Sequence, residues 1–230
     1  MPTELKLGSF RDGAEVALTL PAPGQNGTAR PPLFDGVEAV VLRRTVPSGA
    51  DPQQLLDRLA VASRVRSTAA CRPLAGSVEG DQVVVAFESP RGASLRTVLR
   101  LVPLTLDQAA MLGEGLLSAL AALHRLGVAH GRVDADHAIL GLDGAIRLTE
   151  PGLWGLPSAL AFSSDLEGAG RLLGGALAAV TSGGVEAAGA GVTEQLASIA
   201  NSLGSTPGGA GRARGALARW RRAAGIEPSQ

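Results

Sequence analysis

Residues 124–152 read HRLGVAHGRVDADHAILGLDGAIRLTEPG and contain all three histidines of the chain. They also carry the carboxylates of Asp134, Asp136 and Glu150. Imidazole and carboxylate groups are the side chains that most often act as general bases or metal ligands. The same groups can stabilise a loop, because they hydrogen-bond to nearby backbone amides. This segment is therefore the first candidate for a functional site.

The individual residues of the segment favour a structural interpretation over a metal site. Asp134 and Asp136 could be ligands, but loop capping and solvated charge explain them more simply. The irregular spacing of the histidines, among apolar residues, argues against zinc binding, so no metal is predicted. Arg132 cannot act as a base near neutral pH, and we expect it to pair with Asp134.

The composition limits the class of protein. The chain has 230 residues, of which 45% are hydrophobic, so it can bury a sizeable core. Its formal net charge is zero, which predicts no nucleic-acid partner and no direct insertion into a membrane. Cys71 is the only cysteine, which excludes an internal disulfide and a multi-cysteine metal site. With no apolar signal core at the N-terminus, these features predict a cytoplasmic protein, with Cys71 as a small core residue.

The first half of the sequence predicts a small sheet with one helix. Residues 4–20 form a hairpin around an Asp-Gly turn, residues 37–45 a strand, and residues 70–88 two strands around a Glu-Gly-Asp turn. Residues 21–32 are a loop, and residues 89–94 a connector. A helix is expected from Asp51 as N-cap and Pro52 as first residue, with an apolar face of Leu55, Leu56, Leu59, Ala62 and Val65.

The second half predicts helices. Residues 105–127 form a long amphipathic helix that starts near Thr105 or Asp107 and ends at Gly127. Residues 143–152 offer two short strands, and residues 163–184 a helix buried in the core. Two more helices follow, the last one with a solvated basic face. A sheet-rich half followed by a helical half is an α+β pattern.

The order of these elements and several motifs resemble protein kinases of the bacterial serine/threonine type. LHRLGVAH resembles the kinase segment that ends in the histidine of the His-Arg-Asp motif, which places His130 there. HAIL resembles the Asn-Ile-Leu segment, with His137 at the asparagine. DGAIRLTEPGL resembles the strand pair entering the Asp-Phe-Gly motif, where this chain has Glu150 and Gly152. SDLEGAG resembles the start of the buried helix whose aspartate holds the catalytic loop, which places Asp165 there.

The resemblance implies a bilobal fold. Residues 1–90 correspond to the N-lobe, with strands and one helix, and residues 91–230 to the helical C-lobe. Only LWGLPSALAFS separates Gly152 from the buried helix, and no Ala-Pro-Glu anchor follows. The activation segment is therefore shortened. Asp165 and Gly152 are expected to be structural residues.

Phosphoryl transfer needs a lysine on the nucleotide, an aspartate near the substrate hydroxyl, and an asparagine and an aspartate on magnesium. Lys6 is the only lysine, so Arg43 is the nearest occupant of the lysine position, with Asp57 as the nearest carboxylate that could replace its glutamate partner. Arg132 replaces the proton-accepting aspartate. His137 is a poor ligand for a cation that prefers oxygen. Only Glu150 keeps a carboxylate at a metal position.

The sequence thus predicts a pseudokinase, in which His130, Arg132, Asp134, His137 and Glu150 occupy degenerate catalytic positions. Its expected role is that of a regulatory or scaffolding module that binds another protein. No cofactor is predicted, because Arg43, Arg132 and Glu150 could bind magnesium nucleotide only weakly. The alternative is an atypical kinase or nucleotide-binding phosphotransferase whose metal ligands are Glu150 and Asp136. A third interpretation is an unrelated α+β binding domain.

Overall fold

Two antiparallel sheets and six α-helices make up the described part of the chain, in an α+β arrangement. The structure is a computed structural model that describes residues 3–11, 15–20, 33–34, 36–154, 160–180, 190–205 and 209–225.

The larger sheet has six strands in the order β2-β1-β5-β6-β4-β3, and all neighbours are antiparallel. The strands that the sequence predicts in both hairpins and at 37–45 are confirmed. The Asp12-Gly13 turn and the loop at 21–32 lie outside the described residues. The strands are β1 (Thr3–Ser9), β2 (Glu15–Leu20), β3 (Leu33–Phe34), β4 (Val37–Thr45), β5 (Pro73–Glu79) and β6 (Gln82–Glu88).

Helix α1 (Pro52–Ala62) covers one face of this sheet. The Asp51 side chain accepts a hydrogen bond from the Gln53 backbone N–H, which confirms the predicted N-cap and satisfies a donor that the first turn leaves free. Leu55 and Leu59 are buried against β6 in the same apolar cluster as Phe87. Apolar residues one turn apart on the helix thus meet alternate residues of the strand.

A second, three-stranded sheet follows the order β7-β8-β9, with β7 (Gly92–Ser94), β8 (Ala138–Gly141) and β9 (Ile146–Leu148). Two sequence-based expectations were wrong here. The connector at 89–94 contributes a strand, and the first of the two strands expected within 143–152 lies before that segment. Asp143 and Gly144 instead form the turn between β8 and β9, as an Asp-Gly pair commonly does in a hairpin.

The helical part is built around α3 (Leu106–Arg125), which packs against α4 and α6. Thr105 and Gln108 form a reciprocal capping box at its start, and Gly127 takes a φ of 75° just after its end. The helices expected at 192–204 and 211–225 are present, and the helix expected at 163–184 is present as far as Ala178, while residues 181–184 lie outside the described residues. Helix α2 had no specific prediction. The remaining helices are α2 (Leu95–Leu101), α4 (Ala161–Ala178), α5 (Ala190–Ser202) followed by a 3-10 turn (Leu203–Ser205), and α6 (Gly209–Ala223).

Helix α3 is the one helix among the described residues that is long and apolar enough to cross a membrane. Its most apolar stretch has a mean hydropathy of 1.2, but 67% of that stretch is buried within the protein. The apolar character of α3 is therefore accounted for by its place in the core.

Residues 128–154 lie between the large sheet and the helices. The Cys71 backbone N–H donates to the Leu148 carbonyl, and the Leu148 N–H donates to the Ala69 carbonyl, both at 2.9 Å. Leu153 packs into the apolar cluster of α1 and β6. Cys71 is buried, as expected, and this burial raises the pKa of its thiol to about 12. The candidate site is thus fixed from both sides.

We predict opposite effects for two alanine substitutions in α4. A Cβ at Gly168 would lie 2.5 Å from the Val133 carbonyl oxygen, whereas one at Gly174 would meet nothing within 4 Å. Gly168→Ala should destabilise by about 1–3 kcal/mol through overpacking. Gly174→Ala should stabilise by about 0.5–1 kcal/mol, because alanine is the better helix former. Urea unfolding measures both values, and equal stabilities would contradict the close contact of α4 with the loop at Val133.

Candidate functional site

The Asp165 carboxylate anchors the loop that carries the candidate residues. Asp165 lies in the first turns of α4 and is 1% exposed. Its two oxygens accept the backbone N–H groups of His130 at 2.7 Å and Gly131 at 2.8 Å. The ring of His124, at the end of α3, adds a third hydrogen bond at 2.9 Å. One buried carboxylate therefore joins α3, α4 and the loop, as the sequence predicts for a structural role.

His130 transmits this anchoring to the end of β9. Its ring is fully buried, and its Nε2 donates to the Thr149 carbonyl at 2.9 Å. Its Nδ1 accepts the Arg132 backbone N–H at 3.3 Å, so one nitrogen donates and the other accepts. Burial, the largest influence, lowers the pKa of His130 and keeps this ring neutral. His130 is thus a structural brace.

Glu150 follows directly and adopts a left-handed backbone with φ 61°. This conformation is uncommon for a residue with a Cβ and persists only where the surroundings impose it. The Gly152 N–H donates to the His130 carbonyl at 3.1 Å, and the Leu153 N–H to the Glu150 carbonyl at 3.2 Å. Gly152 itself has φ 80° and is buried, which supports its expected structural role. The turn aims the Glu150 side chain back toward the loop.

His137 sits between two carboxylates. Its Nδ1 lies 2.7 Å from Oδ1 of Asp134, and its Nε2 lies 3.4 Å from Oε2 of Glu150. Because carboxylates only accept, this geometry favours a ring protonated on both nitrogens. The interaction with Glu150 is the largest cause that raises the pKa of His137, and Asp134 adds to it against the effect of burial. These contacts thus favour the cationic form of the ring.

The two carboxylates respond in the opposite direction. Burial alone would raise the pKa of Asp134, but hydrogen bonds from His137 and from the backbone outweigh it and lower that pKa to about 2. Burial likewise opposes ionisation of Glu150, and its contacts with His137 and Trp154 lower its pKa. Both groups are therefore ionised at neutral pH and compensate the imidazolium.

Trp154 closes the cluster. Its Nε1 donates to Oε2 of Glu150 at 2.6 Å, and its ring meets His137 edge-on with centroids 5.7 Å apart. The guanidinium carbon atoms of Arg44 and Arg132 lie 5.2 and 4.9 Å from the centre of the ring, within the range of cation–π contacts. Arg44 belongs to β4, so this ring links the large sheet to the loop.

The expected pairing of Arg132 with Asp134 is confirmed, with Nε 3.1 Å from Oδ2. The structure also brings Asp134, His137 and Glu150 together, as described above. It does not bring Arg43 to them, because that side chain pairs with Glu79 at 2.5 Å. Successive side chains of a strand point to opposite faces, so Arg44 reaches the site and Arg43 does not.

Two other sequence candidates have partners of their own. Asp136 binds Arg96 through both oxygens, at 2.5 and 2.8 Å. Asp57 accepts a hydrogen bond from Gln53 at 2.8 Å. Within the described residues, neither carboxylate contacts Glu150 or Arg43 through a hydrogen bond or an ion pair. The metal pair of Asp136 with Glu150 and the pairing of Asp57 with Arg43 therefore have no direct support from these contacts.

Sequence reasoning missed Trp154 and Arg44. Trp154 is one of only two tryptophans in the chain and follows Gly152 by two positions, which is the signal that could have drawn attention to it. Arg44 directly follows Arg43 on β4. Which of the two side chains reaches the site depends on which face of β4 is turned to α1. That orientation is a property of the sheet packing.

The cluster binds its own members. Asp134 contacts His137 and Arg132, and Oε2 of Glu150 contacts His137 and Trp154. Arg132 offers no proton-accepting group. Such an arrangement can hold the loop rigidly. No protein-family model matches the chain.

We predict that Asp165 contributes more to stability than Arg132. Asp165→Ala removes a buried acceptor from two backbone N–H groups, which should cost on the order of 1–3 kcal/mol. Arg132→Ala removes a half-exposed pairing with Asp134 and a contact with Trp154, worth at most about 1 kcal/mol. Comparative urea melts test the order, and a larger loss for Arg132→Ala would contradict it.

Replacing His137 by glutamine should change how stability depends on pH. The raised pKa of His137 means that its charged form contributes stability that is fully present below the unfolded-state pKa of about 6.5. This contribution is lost as the pH rises through the folded-state pKa. The wild-type free energy of unfolding should therefore fall relative to that of His137→Gln as the pH rises above about 6.5. Urea melts across this range measure the difference.

The titration of His130 should not disturb this comparison. Its lowered pKa acts with the opposite sign, because the unfolded chain takes up a proton that the buried ring refuses as the pH falls below about 6.5. It is present in both proteins, so its effect cancels in the difference. Parallel curves would show that His137 is not held as a cation by Asp134 and Glu150.

Proposed function

We propose that this chain is a pseudokinase, a catalytically inactive domain with a bilobal protein kinase-like fold, in which residues 1–90 form the N-lobe and residues 91–230 the C-lobe. Its role is that of a regulatory or scaffolding module that binds another protein in the cytoplasm. The described α+β architecture, with a sheet and one helix before a helical half, is compatible with this proposal.

The contacts of Asp165 support the kinase-like frame. The resemblance assigns this position to the aspartate that holds the catalytic loop, and Asp165 accepts backbone N–H groups from His130 and Gly131. The same frame places Glu150 and Gly152 at the end of a strand pair, where β8 and β9 lie. These agreements concern positions that brace a loop rather than positions that do chemistry.

The observation that carries the proposed inactivity is the closed cluster around His137. Arg132, His137 and Glu150 occupy three positions where a kinase needs chemistry. Arg132 pairs with Asp134, and Glu150 contacts both His137 and Trp154. These side chains therefore contact other residues of the cluster. Magnesium at Oε2 of Glu150 would have to displace the Trp154 indole and the His137 ring. A triphosphate bound without metal would face Glu150 and Asp134, whose charges repel it.

The proposed binding of a partner protein rests on the outer surface of the domain. A domain whose polar cleft is occupied by its own side chains can still present a stable surface to another protein. The shortened segment after Gly152 removes the platform that the resemblance would assign to a peptide substrate. The domain then binds its partner protein through its outer surface.

The proposal predicts no phosphotransfer and weak or absent binding of magnesium nucleotide. Thermal-shift titrations with ATP, with and without magnesium, should show no metal-dependent shift, and radiolabelled ATP should transfer no phosphate to the protein or to a generic substrate. The physical reason is the mutual neutralisation of the groups that would have to meet the metal and the phosphates.

Matched variants make this test specific. Glu150→Ala removes the carboxylate in question, whereas Glu194→Ala removes an exposed glutamate of α5. A metal-dependent dissociation constant in the low micromolar range, or phosphate transfer lost in Glu150→Ala and kept in Glu194→Ala, would refute the proposal. Additional loss in Asp136→Ala would instead establish the alternative, an atypical phosphotransferase with Glu150 and Asp136 on the metal.

A further inference from the structure

A group of arginines lies along the segment that joins α1 to β5. Arg64 and Arg66 are exposed on this segment, and Arg11 is exposed just after β1. Among the described residues, no carboxylate forms an ion pair with any of these three side chains. Arg72, at the end of the segment, pairs with Glu88 at 2.5 Å. Counting only the residues that the structure describes, Arg11, Arg64 and Arg66 therefore form a local concentration of positive charge in a chain of formal net charge zero.

Two cavities adjoin at Arg72, which lines both of them. The first has a volume of about 570 Å³, and its polar lining includes Arg66, Ser67, Thr68, Arg147 and the Glu88 carboxylate that pairs with Arg72. The second has a volume of about 630 Å³ and contains Arg11 and Arg64 but no acidic residue in its described lining. We call the two together the connector groove.

The connector groove also has apolar walls. Phe10, Phe34 and Leu74 line the second cavity together with Val37, which is 37% exposed. Val65 and Ala70 line the first cavity. Arginine beside aromatic and aliphatic side chains is the composition that distinguishes the centre of protein interfaces from ordinary surface.

We propose that the connector groove binds an acidic segment of a partner protein, in which carboxylates alternate with apolar side chains. The carboxylates meet Arg11, Arg64 and Arg66, whose planar guanidinium groups can each donate two parallel hydrogen bonds to a carboxylate. The apolar residues of the segment pack on Phe10, Leu74 and Val65. This inference rests on the proposed function, because it supplies the chemistry of the partner.

The size and charge of the groove favour a peptide over other anions. Each cavity alone has the volume of a small-molecule site, and the two together exceed that range, as an extended segment requires. The zero net charge of the chain provides no general attraction for a nucleic acid or an anionic membrane. The apolar walls of the groove likewise favour contact with apolar side chains of a peptide over contact with a phosphate backbone.

The probe is a short fluorescent peptide of alternating glutamate and leucine, measured by anisotropy at two salt concentrations. Arg64→Glu/Arg66→Glu should lower its affinity by at least about tenfold, since like charges would then face each other. Arg100→Glu/Arg212→Glu makes the same charge change at two exposed arginines on α2 and α6, and should alter affinity by less than about twofold. Arg64→Lys/Arg66→Lys keeps the charge and should retain binding. If the glutamate variant unfolds, Arg64→Gln/Arg66→Gln replaces it.

Three results would overturn this inference. The first is no binding of the acidic peptide to the wild-type chain. The second is an equal loss in the two glutamate double variants, which would indicate unspecific charge attraction. The third is tighter binding of a single-stranded oligonucleotide or of phosphatidylserine vesicles with the same dependence on Arg64 and Arg66. Failure here, in a chain that still transfers no phosphate, leaves the proposed function intact, whereas phosphate transfer refutes that function whatever the peptide does.

Discussion

The arrangement of the candidate site depends on one buried carboxylate. Asp165 fixes the backbone at His130 and Gly131, and His130 in turn fixes the carbonyl of Thr149. An unpaired carboxylate in this apolar surrounding would be strongly unfavourable, so its three hydrogen bonds must form together with the packing of α4 against the loop. These contacts fix the start of the loop and the end of β9 relative to α4.

The charged cluster is the next consequence. Once the turn at Glu150 is set in its left-handed conformation, the carboxylate points at His137, which Asp134 also holds. The ionised carboxylates of Asp134 and Glu150 would repel each other, and the positively charged His137 ring between them offsets that repulsion. Trp154 then covers the cluster and connects it to β4 through Arg44. The packing of α4 against the loop and the charge compensation around His137 thus support the same loop geometry.

The sequence predicted those features that depend on local patterns. The N-cap at Asp51, the helix start near Thr105 and the strand at Val37–Thr45 follow from residue types within a few positions of one another. The pairing of Arg132 with Asp134 is equally local. Strand β7 and the facing of Arg44 toward Trp154 were not predictable, because they arise where distant segments pack. The pairing of β7 with β8 joins residues more than forty positions apart, and no short pattern encodes it.

The charges of the cluster also depend on one another. Aspartate at position 132 would place a new carboxylate beside Asp134 and remove the cation that faces it. Asparagine at position 137 would leave Glu150 and Asp134 without their shared positive charge. Each of these single changes would expose a repulsion that the present partner cancels. The residues of the cluster therefore form one coupled set, and substitutions within it should not have additive effects on stability.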